Sequence, residues 1–327
     1  MGVEQPFERD EAIARRSVLF LQGPPGPLFR LLGERMRKQG VQVSRINLSG
    51  GDWTDWSEGA VNYRGTLEGW ESYIDCFLQD HDITDLFLFG DCRAYHEIAH
   101  RAASARGVRV WVLEEGYIRP HWMTLELHGV NGNSLLPDDP KWYLDEARML
   151  LPAPKPKVIT ASFARRARDS YRYYQYTVLG RPWFPFYRTH RPNSVMMEGI
   201  NWFFRLIGKG TRKRRANWII KHLEPQSYVL FPLQLSSDYQ IRRHSPFDTM
   251  EAGFKHVIQS FAQHAPRDLD LLVKVHPLDC RGSRWTSIMW REARINGVEG
   301  RVKLIDGGNL GDLIANSRGV VTVNSTS

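Results

Sequence analysis

Two apolar runs near the C-terminus end in polar residues that could hold a phosphate. Leu271 to Val275 leads into His276-Pro277, and Val320 to Val323 leads into Asn324, Ser325, Thr326 and Ser327. In an open α/β sheet, ligands bind beyond the carboxyl ends of the strands, where hydroxyl groups and backbone N–H groups can contact a phosphate. Lys274 and His276 would add positive charge and a donor. The pattern predicts a nucleotide-sugar site; the alternative is ordinary turn chemistry with His276 capping a loop.

The first 150 residues alternate strand and helix patterns, which predicts a parallel sheet. Ser17 to Leu21 is a short apolar strand, and further strands are predicted at Asp85 to Phe89 and Val108 to Leu113. The loop from Gly23 to Gly26 matches no phosphate-binding motif, because its two prolines lack N–H donors. We interpret it as a tight strand-to-helix turn on the acceptor side of the molecule, with Gly23 and Gly26 as its candidate residues.

A second α/β pattern begins at Tyr228. The strand from Tyr228 to Leu233 leads into Gln234 and Asp238, and strands are also expected at Leu269 to Val275 and near the C-terminus. Between them, Ser245 resembles an N-cap followed by Pro246, and Phe254, Ile258 and Phe261 share one helical face. The chain stops at Ser327 where a further helix is expected, so the sheet is predicted to lack its closing elements.

Length and proline placement predict the domain organisation. A chain of 327 residues favours two domains, here residues 1–155 and 226–327. Several prolines between residues 151 and 225 predict a connector with short helices, residues 156–225, rather than a third sheet. The fold class is therefore α/β, with two Rossmann-like domains and a helical connector.

Positive charge is concentrated in this connector. The chain has a net charge of +8, whereas residues 163–222 contain 14 Lys or Arg against Asp169 and Glu198, a net +12, together with 13 aromatic residues. Basic and aromatic side chains together suit an anionic membrane surface. The densest cluster is Arg212, Lys213, Arg214 and Arg215. Nucleic acid could bind the same basic and aromatic side chains. A third interpretation of the segment is a helical insertion whose aromatic residues are in the core and whose arginines are solvated.

Cysteine spacing and hydropathy indicate the cellular compartment in which the protein is expected. Cys76, Cys92 and Cys280 have no CxxC spacing, which argues against a structural zinc site or a disulfide scaffold and favours a reducing cytoplasm. The N-terminus lacks the apolar segment of a signal peptide, and no apolar run approaches about 18 residues. The sequence thus predicts a soluble or peripheral cytoplasmic protein.

Five segments, taken in order, resemble the capsule polysaccharide biosynthesis and export family. They are Gln22-Gly-Pro-Pro-Gly26, Glu114-Glu-Gly-Tyr-Ile-Arg-Pro120, Pro232-Leu-Gln-Leu-Ser-Ser-Asp238, Lys274-Val-His-Pro277 and Val323-Asn-Ser-Thr-Ser327. The closer resemblance is to the S-type members. The resemblance implies a GT-B-like pair of Rossmann domains and a retaining β-Kdo transferase that uses CMP-β-Kdo. It also implies a phosphatidylglycerol-type lipid acceptor at the inner face of the cytoplasmic membrane, and possible association with other capsule synthesis and export proteins.

Retention at a sugar requires a carboxylate nucleophile with an acid/base, or front-face attack without a covalent intermediate. Glu115 ends a strand of the first half and Asp238 follows a strand of the second half, so closure of the two halves would bring them face to face. By resemblance, Glu115 is the acid/base and Asp238 the nucleophile or its neighbour. The alternatives are a surface carboxylate for Glu115 and an N-cap for Asp238.

A donor that carries a phosphate and a carboxylate calls for a cationic site without a metal. Lys274, His276 and Gln234 fit that site, and Arg119 would meet the donor carboxylate or pair with Glu114. No DxD pair stands where a metal-dependent transferase would use it, so neither a metal nor another cofactor is expected. The alternatives are another GT-B transferase that uses a CMP- or UDP-sugar and a non-catalytic anionic membrane-binding module. No nucleic-acid partner is expected.

Overall fold

The computed structural model describes residues 16–116, 122–151, 163–189, 208–235, 238–277, 279 and 282–325. The chain forms two compact units, Met1–His190 and Arg191–Ser327. The predicted connector of residues 156–225 is therefore divided between them. Each unit has its own sheet and its own hydrophobic core.

Unit 1 contains a six-stranded sheet. Its strands are β1 (Ser17–Phe20), β2 (Gln42–Asn47), β3 (Val61–Asn62), β4 (Asp85–Phe89), β5 (Arg109–Glu115) and β6 (Met123–Leu127). The order is β3-β2-β1-β4-β5-β6; the first five strands are parallel and β6 is antiparallel to β5. Strands are added in one direction from β1 to β3 and in the other from β4 onward. The topological switch point therefore lies between β1 and β4.

Unit 1 also contains six α-helices among its described residues. They are α1 (Leu28–Arg37), α2 (Gly50–Asp55), α3 (Trp70–Asp80), α4 (Ala94–Ala105), α5 (Pro140–Met149) and α6 (Phe163–Leu179). Alternate strand residues face opposite ways, so Leu19 and Leu21 enter one core cluster with α3 and α4, whereas Val18 and Phe20 enter another with α1. Because both faces are covered, the central strands β1 and β4 are nearly continuous apolar runs.

Helix α6 packs closely against α2. A Cβ built on Gly50 would lie 2.2 Å from the Tyr176 carbonyl oxygen, and one on Gly51 would lie 2.7 Å from the Tyr173 carbonyl oxygen. Only glycine allows this approach. The basic, aromatic segment therefore begins as part of unit 1, and one face of its first helix is committed to packing.

Unit 2 contains a four-stranded parallel sheet in the order β10-β7-β8-β9. Its strands are β7 (Tyr228–Pro232), β8 (Asp270–Lys274), β9 (Val302–Ile305) and β10 (Gly319–Val320), and its helices are α7 (Lys209–Lys221), α8 (Tyr239–His244), α9 (Met250–His264), α10 (Gly282–Ile295) and α11 (Leu310–Ala315). The switch point here lies between β7 and β10. The predicted α/β class with two Rossmann-like units is confirmed.

The start of α9 differs from the prediction. The apolar face is confirmed, because Phe254, Ile258 and Phe261 are buried. The N-cap, however, is Thr249, whose Oγ1 accepts from the Ala252 N–H at 3.2 Å. Ser245 accepts from the Phe247 N–H at 3.0 Å and stabilises a separate turn. The prediction of Ser245 as the N-cap was wrong because a short Ser turn and a helix start use the same local hydrogen bond.

Candidate functional site

Most of the described donor-binding candidates lie at one edge of the unit 2 sheet. Gln234 follows β7, Lys274 is the last residue of β8, and Asn324 and Ser325 follow β10. Pro232 and Lys274 are partners in the parallel register, so the two strands end side by side. The carboxyl ends of β7, β8 and β10 therefore meet at the switch point, where Rossmann-like sheets bind their ligands. Thr326 and Ser327 lie outside the described residues.

Two side-chain amides bridge this switch point. The Gln234 Nε2 donates to Asn324 Oδ1 at 3.0 Å, and the Asn324 N–H donates to Gln234 Oε1 at 3.3 Å. The Asn324 Nδ2 also donates to the carbonyl oxygen of Gln240 at 2.6 Å. These bonds hold the segments after β7 and β10 together and tie both to α8.

Asp238 is the N-cap of α8. Its Oδ1 accepts from the Gln240 N–H at 3.0 Å, and its own N–H donates to the Leu235 carbonyl oxygen at 2.9 Å. The N-cap role that the sequence left open is therefore real. It also fixes the carboxylate beside Gln240, whose carbonyl oxygen accepts from Asn324. The cap and a chemical role are compatible, because capping uses one carboxylate oxygen.

The segment after β8 carries two candidate phosphate ligands. Lys274 is buried and His276 is half-buried. The His276 carbonyl oxygen accepts from the Asp279 N–H at 2.9 Å, and Asp279 Oδ2 accepts from the Trp285 indole at 2.8 Å. This chain of bonds anchors the segment to α10 and fixes the backbone beside His276. Lysine and histidine are side-chain types that bind phosphate, and here both belong to this anchored segment.

At the end of β5, two adjacent glutamates face opposite sides of the unit 1 sheet. Glu115 is half-exposed and forms an ion pair with Arg166 of α6. Glu114 is half-buried, and its Oε1 accepts from the Glu115 N–H at 3.0 Å. Burial raises the pKa of Glu114, with Arg93 acting in the opposite direction. Arg119, the third candidate in this segment, lies outside the described residues.

The loop from Gly23 to Gly26 has a clear structural role. Gly26 adopts a φ of 112°, and its N–H donates to Asp55 Oδ2 at 2.8 Å. A Cβ on Gly23 would lie 3.0 Å from the Phe29 ring. The predicted tight turn is therefore present; the positive φ of Gly26 favours glycine there, and Gly23 packs tightly against Phe29. Their assignment to an acceptor site stays a prediction.

A buried polar cluster that no sequence motif indicates lies at the unit 1 switch point. The Gln22 Nε2 is 3.0 Å from Asp52 Oδ2, 2.7 Å from the Tyr173 hydroxyl and 3.0 Å from the Tyr187 hydroxyl. Gln22 Oε1 accepts from Arg93 at 3.1 Å. Arg93, Tyr173 and Tyr187 lie 71, 151 and 165 positions from Gln22, so sequence spacing could not reveal the cluster. The available signal was a glutamine just beyond the buried strand β1.

Arg45 and Asp52 form the charged part of this cluster. Both side chains are almost fully buried, and their nearest N–O distance is 3.5 Å. Burial lowers the pKa of Arg45, and Asp52 opposes that effect. Burial also raises the pKa of Tyr173 well above its ordinary value. The tyrosine is therefore a neutral donor, and its hydroxyl lies 3.0 Å from Asp52 Oδ1.

Comparison with known proteins identifies the family. The family model described as capsule polysaccharide biosynthesis protein matches residues 84–327. This chain belongs to that family. It is 30% identical to the capsule polysaccharide modification protein LipB of Neisseria meningitidis over 95% of this chain and 76% of that protein. It is likewise 30% identical to the capsule polysaccharide export protein KpsS of Escherichia coli over 96% of this chain and 82% of that protein.

Likeness to solved structures is weaker. A glycosyltransferase from Rickettsia africae aligns over 93% of this chain and 72% of that chain, with 8% identity and a TM-score of 0.31. A UDP-GlcNAc 2-epimerase from Neisseria meningitidis aligns over 94% and 77%, with 10% identity and a TM-score of 0.26. Both scores are too low to support an argument about function. The family assignment rests on the sequence matches.

The capsule family match includes both candidate carboxylates and the donor-binding candidates. Glu115, Asp238, Lys274 and His276 lie within residues 84–327, whereas Gly23 and Gly26 precede that range. Among the described residues of this family member, no three His, Cys, Asp or Glu side chains are grouped to hold a metal ion. Metal independence stays a prediction.

The basic cluster of this capsule protein lies on α7 in unit 2. Arg212 forms an ion pair with Asp306 at 3.0 Å, and Lys213, Arg214 and Arg215 are exposed. Ala216 and Ile219, on the opposite side of the helix, are buried in the core. Within the part of the chain that the structure describes, no helix has the length and apolar character to cross a membrane.

Proposed function

We propose that the chain is a retaining glycosyltransferase that moves Kdo from CMP-β-Kdo to a phosphatidylglycerol-type lipid. The product would start the lipid linker of a capsular polysaccharide. The proposal combines family membership with one structural observation, the Gln234 to Asn324 bridge at the unit 2 switch point. Lys274 lies at the same sheet edge, so a cation and fixed amides converge where an α/β sheet receives an anionic ligand.

The proposed donor contacts follow from charge. Lys274 and His276 would hold the phosphate of CMP, and Asn324, Ser325, Thr326 and Ser327 would offer donors from the neighbouring segment. Gln234 would orient this segment through Asn324. Arg119 would meet the Kdo carboxylate. Two anionic groups on the donor are matched by cationic side chains, so the proposal requires no metal or other cofactor.

We assign the reaction two displacements at the anomeric carbon. In the first, a carboxylate oxygen of Asp238 bonds to that carbon as its bond to the phosphate oxygen breaks, and CMP leaves with the electron pair. In the second, the lipid hydroxyl oxygen bonds to the same carbon, the Asp238 carboxylate departs, and Glu115 takes the hydroxyl proton. Two inversions give net retention. The N-cap bond to Gln240 would hold the Asp238 carboxylate in position for both steps.

The proposed acceptor and location go together. A lipid acceptor requires the protein to work at a membrane surface, here the inner face of the cytoplasmic membrane. The basic residues Arg212, Lys213, Arg214 and Arg215 would contribute attraction to anionic lipid, with Gly23 and Gly26 on the acceptor side. Other capsule synthesis and export proteins are the expected protein partners, and nucleic acid is not.

The direct test is transfer to a fluorescent phosphatidylglycerol. The purified chain is incubated with CMP-Kdo generated in place, and the lipid product is analysed by mass and by anomeric configuration. We expect a product heavier by one or more Kdo residues in the β configuration, formed equally well with a chelator present. Parallel reactions contain CMP-sialic acid and UDP-GlcNAc as donors.

Two results would contradict the proposal. If sugar is transferred from one of the other donors and none from CMP-Kdo, the protein is a glycosyltransferase that uses a different class of sugar donor. A protein that binds CMP and phosphatidylglycerol vesicles but forms no product from any donor would favour the non-catalytic membrane-binding alternative. A Glu115→Gln/Asp238→Asn double variant is the negative control for contaminating transferase activity.

A further inference from the structure

The turn that follows α6 exposes large apolar side chains on a rigid frame. We define the Trp183 corner as residues 176–188 of unit 1. Within it, Trp183 is 61% exposed and Phe186 is 54% exposed, whereas Phe184 between them is buried. Tyr176 and Leu179, at the end of α6, are also exposed. Aromatic side chains beside buried neighbours from the same turn form a surface patch, and such patches commonly mark an interaction site.

One internal hydrogen bond and two hydrogen bonds to the rest of unit 1 fix the corner. Phe184 is buried, and its N–H donates to the Gly180 carbonyl oxygen at 3.0 Å. The Tyr187 hydroxyl accepts from the Gln22 amide at 3.0 Å. The Arg188 N–H donates to the Tyr95 hydroxyl at 3.4 Å. Because Phe184 and Tyr187 occupy the inner positions, Trp183 and Phe186 remain at the surface.

An open pocket of about 480 Å³ lies within the corner. Arg181 and Arg188 line it together with Phe186, Tyr187 and Thr66. Two guanidinium groups, a hydroxyl and an aromatic wall suit a phosphate carried on an apolar chain. The volume is sufficient for a lipid headgroup, since pockets for small ligands start near 300 Å³.

The charge of the surrounding helix favours an anionic partner. Residues 163–189 contain six arginines and one acidic residue, Asp169. Arg188 pairs with Glu68 at 2.9 Å, but both side chains are about two-thirds exposed, so the pair is weak and the guanidinium keeps further donors. Among the described residues, no acidic side chain forms an ion pair with Arg181.

We propose that the Trp183 corner docks on an anionic bilayer, with a lipid phosphate between Arg181 and Arg188 and with Trp183 and Phe186 at headgroup level. Aromatic rings beside arginines match the boundary between headgroups and acyl chains. The choice of phosphatidylglycerol as the lipid rests on the proposed function. The docking itself requires only a negatively charged membrane surface.

The corner has features that the α7 cluster lacks. On α7, Arg212 is paired with Asp306 and the apolar residues Ala216 and Ile219 are turned into the core. That leaves Lys213, Arg214 and Arg215 as exposed charge, with Trp218 as the exposed aromatic on the described helix. The corner combines a phosphate-sized pocket, two arginines and two exposed aromatic rings in one place. We therefore assign it the larger share of vesicle binding.

The test is sedimentation of the full chain with vesicles, without any donor. Vesicles contain phosphatidylcholine alone or with 30% phosphatidylglycerol. We expect binding only to the anionic vesicles. Arg181→Gln/Arg188→Gln should lower the partition coefficient roughly 25-fold, from about 5-fold for each arginine. Trp183→Ser/Phe186→Ser should lower it by at least 10-fold.

Matched controls remove the same groups elsewhere. Arg294→Gln/Arg318→Gln deletes two exposed charges from unit 2, and Trp290→Ser deletes an exposed ring from α10. Both should change partition less than 3-fold. Glu68→Gln should strengthen binding, because it removes a negative charge and releases Arg188. Thermal unfolding of each variant confirms that these exposed substitutions leave the fold intact.

Several outcomes would overturn the proposal. If Arg214→Gln/Arg215→Gln lowers the vesicle partition coefficient as much as the corner variants do, vesicle binding depends only on overall positive charge and not on the corner. If millimolar inorganic phosphate competes with the vesicles and abolishes their binding, the corner is a site for free anions. If the protein prefers an oligonucleotide to vesicles, the partner is nucleic acid.

Vesicle binding without any sugar transfer would refute only the proposed function. Transfer to a short-chain soluble phosphatidylglycerol without vesicle binding would refute only the docking surface.

Discussion

The two sheets of this protein share a topology and use it differently. Each has a switch point next to its first strand, between β1 and β4 in unit 1 and between β7 and β10 in unit 2. In unit 1, Gln22 is only 2% exposed and contacts Asp52, Tyr173 and Tyr187. In unit 2, the Gln234 to Asn324 bridge joins two segments beside Lys274.

This difference indicates that the switch point of a parallel sheet is not by itself a ligand-binding site. In unit 1 the crevice is filled by side chains of the same chain, among them two tyrosines from α6 and the corner. Such a cluster fixes α6 to the sheet, because every member would lose hydrogen bonds if the helix moved. In unit 2 the edge combines the buried side chains of Lys274 and Gln234 with the half-buried His276, Asn324 and Ser325. We therefore expect the donor to bind unit 2 and the unit 1 cluster to serve stability.

The largest expected effect separates the two roles of Asp238. Asp238→Asn keeps an N-cap of similar strength but removes the nucleophile, so transfer should fall by about 10⁴-fold or more with little change in the free energy of unfolding. Asp238→Ala should lose activity equally and also about 1 kcal/mol of stability. Turnover and urea unfolding of both variants provide the measurements. An active Asp238→Asn enzyme would end the double-displacement proposal.

Trapping the intermediate sharpens this test. In Glu115→Gln the second displacement is slowed because the proton acceptor is lost. Intact-protein mass spectrometry after addition of CMP-Kdo should then show a Kdo adduct, and peptide mapping should locate it at Asp238. An adduct on a different residue would reassign the nucleophile.

The second prediction concerns the unit 1 cluster. Asp52→Ala leaves Arg45 buried without its charged partner, and we expect a loss of about 3–5 kcal/mol of unfolding free energy. CMP affinity should be unchanged wherever the variant is folded. Asp75→Ala, which breaks an exposed pair with Arg106, is the matched control and should cost less than about 1 kcal/mol. If Asp52→Ala is fully stable but binds CMP more weakly, the unit 1 cluster takes part in donor binding rather than in stability.

The sequence was sufficient to predict the fold because local patterns dominate it. Apolar strands followed by glycine-containing turns predicted the parallel sheets, and Phe254, Ile258 and Phe261 predicted the buried face of α9. The location of the unit 2 candidates at one edge was also predictable, since Lys274 ends β8, His276 comes shortly after it, and Asn324 comes shortly after β10. Strand ends are local features, and a parallel sheet brings them together.

The unit 1 cluster could not be predicted because it depends on long-range packing. Tyr173 and Tyr187 lie in a segment whose composition suggested a membrane-facing connector, yet both hydroxyls bond to Gln22 after β1. The close approach of α6 at Gly50 and Gly51 creates these contacts. Composition does not distinguish the inner and outer residues of that helix and turn. The outer residues of that turn, Trp183 and Phe186, form the exposed part of the Trp183 corner.

The third prediction tests the donor edge directly. Lys274→Ala and His276→Ala should each weaken CMP binding by about 1.5–3 kcal/mol, the range for a charge-assisted hydrogen bond. Lys303→Ala removes a lysine from β9 of the same sheet, where it pairs with Asp270, and should leave CMP affinity unchanged. Isothermal titration calorimetry gives the affinities. Unchanged CMP binding in both test variants would exclude these residues from the site.

The smallest expected effect is a pH dependence that belongs to unit 1 alone. His96 is fully buried at the start of α4, its Nδ1 lies 2.7 Å from the Gly90 carbonyl oxygen, and burial lowers its pKa to about 3. An unfolded histidine has a pKa near 6.5, so between these values the unfolded chain binds a proton that the folded chain does not. Stability is therefore fully present above pH 6.5 and is lost as the pH falls toward 3, by about 1 kcal/mol between pH 6.5 and 5.5. His96→Asn should flatten the pH dependence of unfolding by that amount, whereas His264→Asn, at the exposed end of α9, should not. If His96→Asn instead changes the pH dependence of CMP binding, the separation of a structural unit 1 edge from a donor-binding unit 2 edge is wrong.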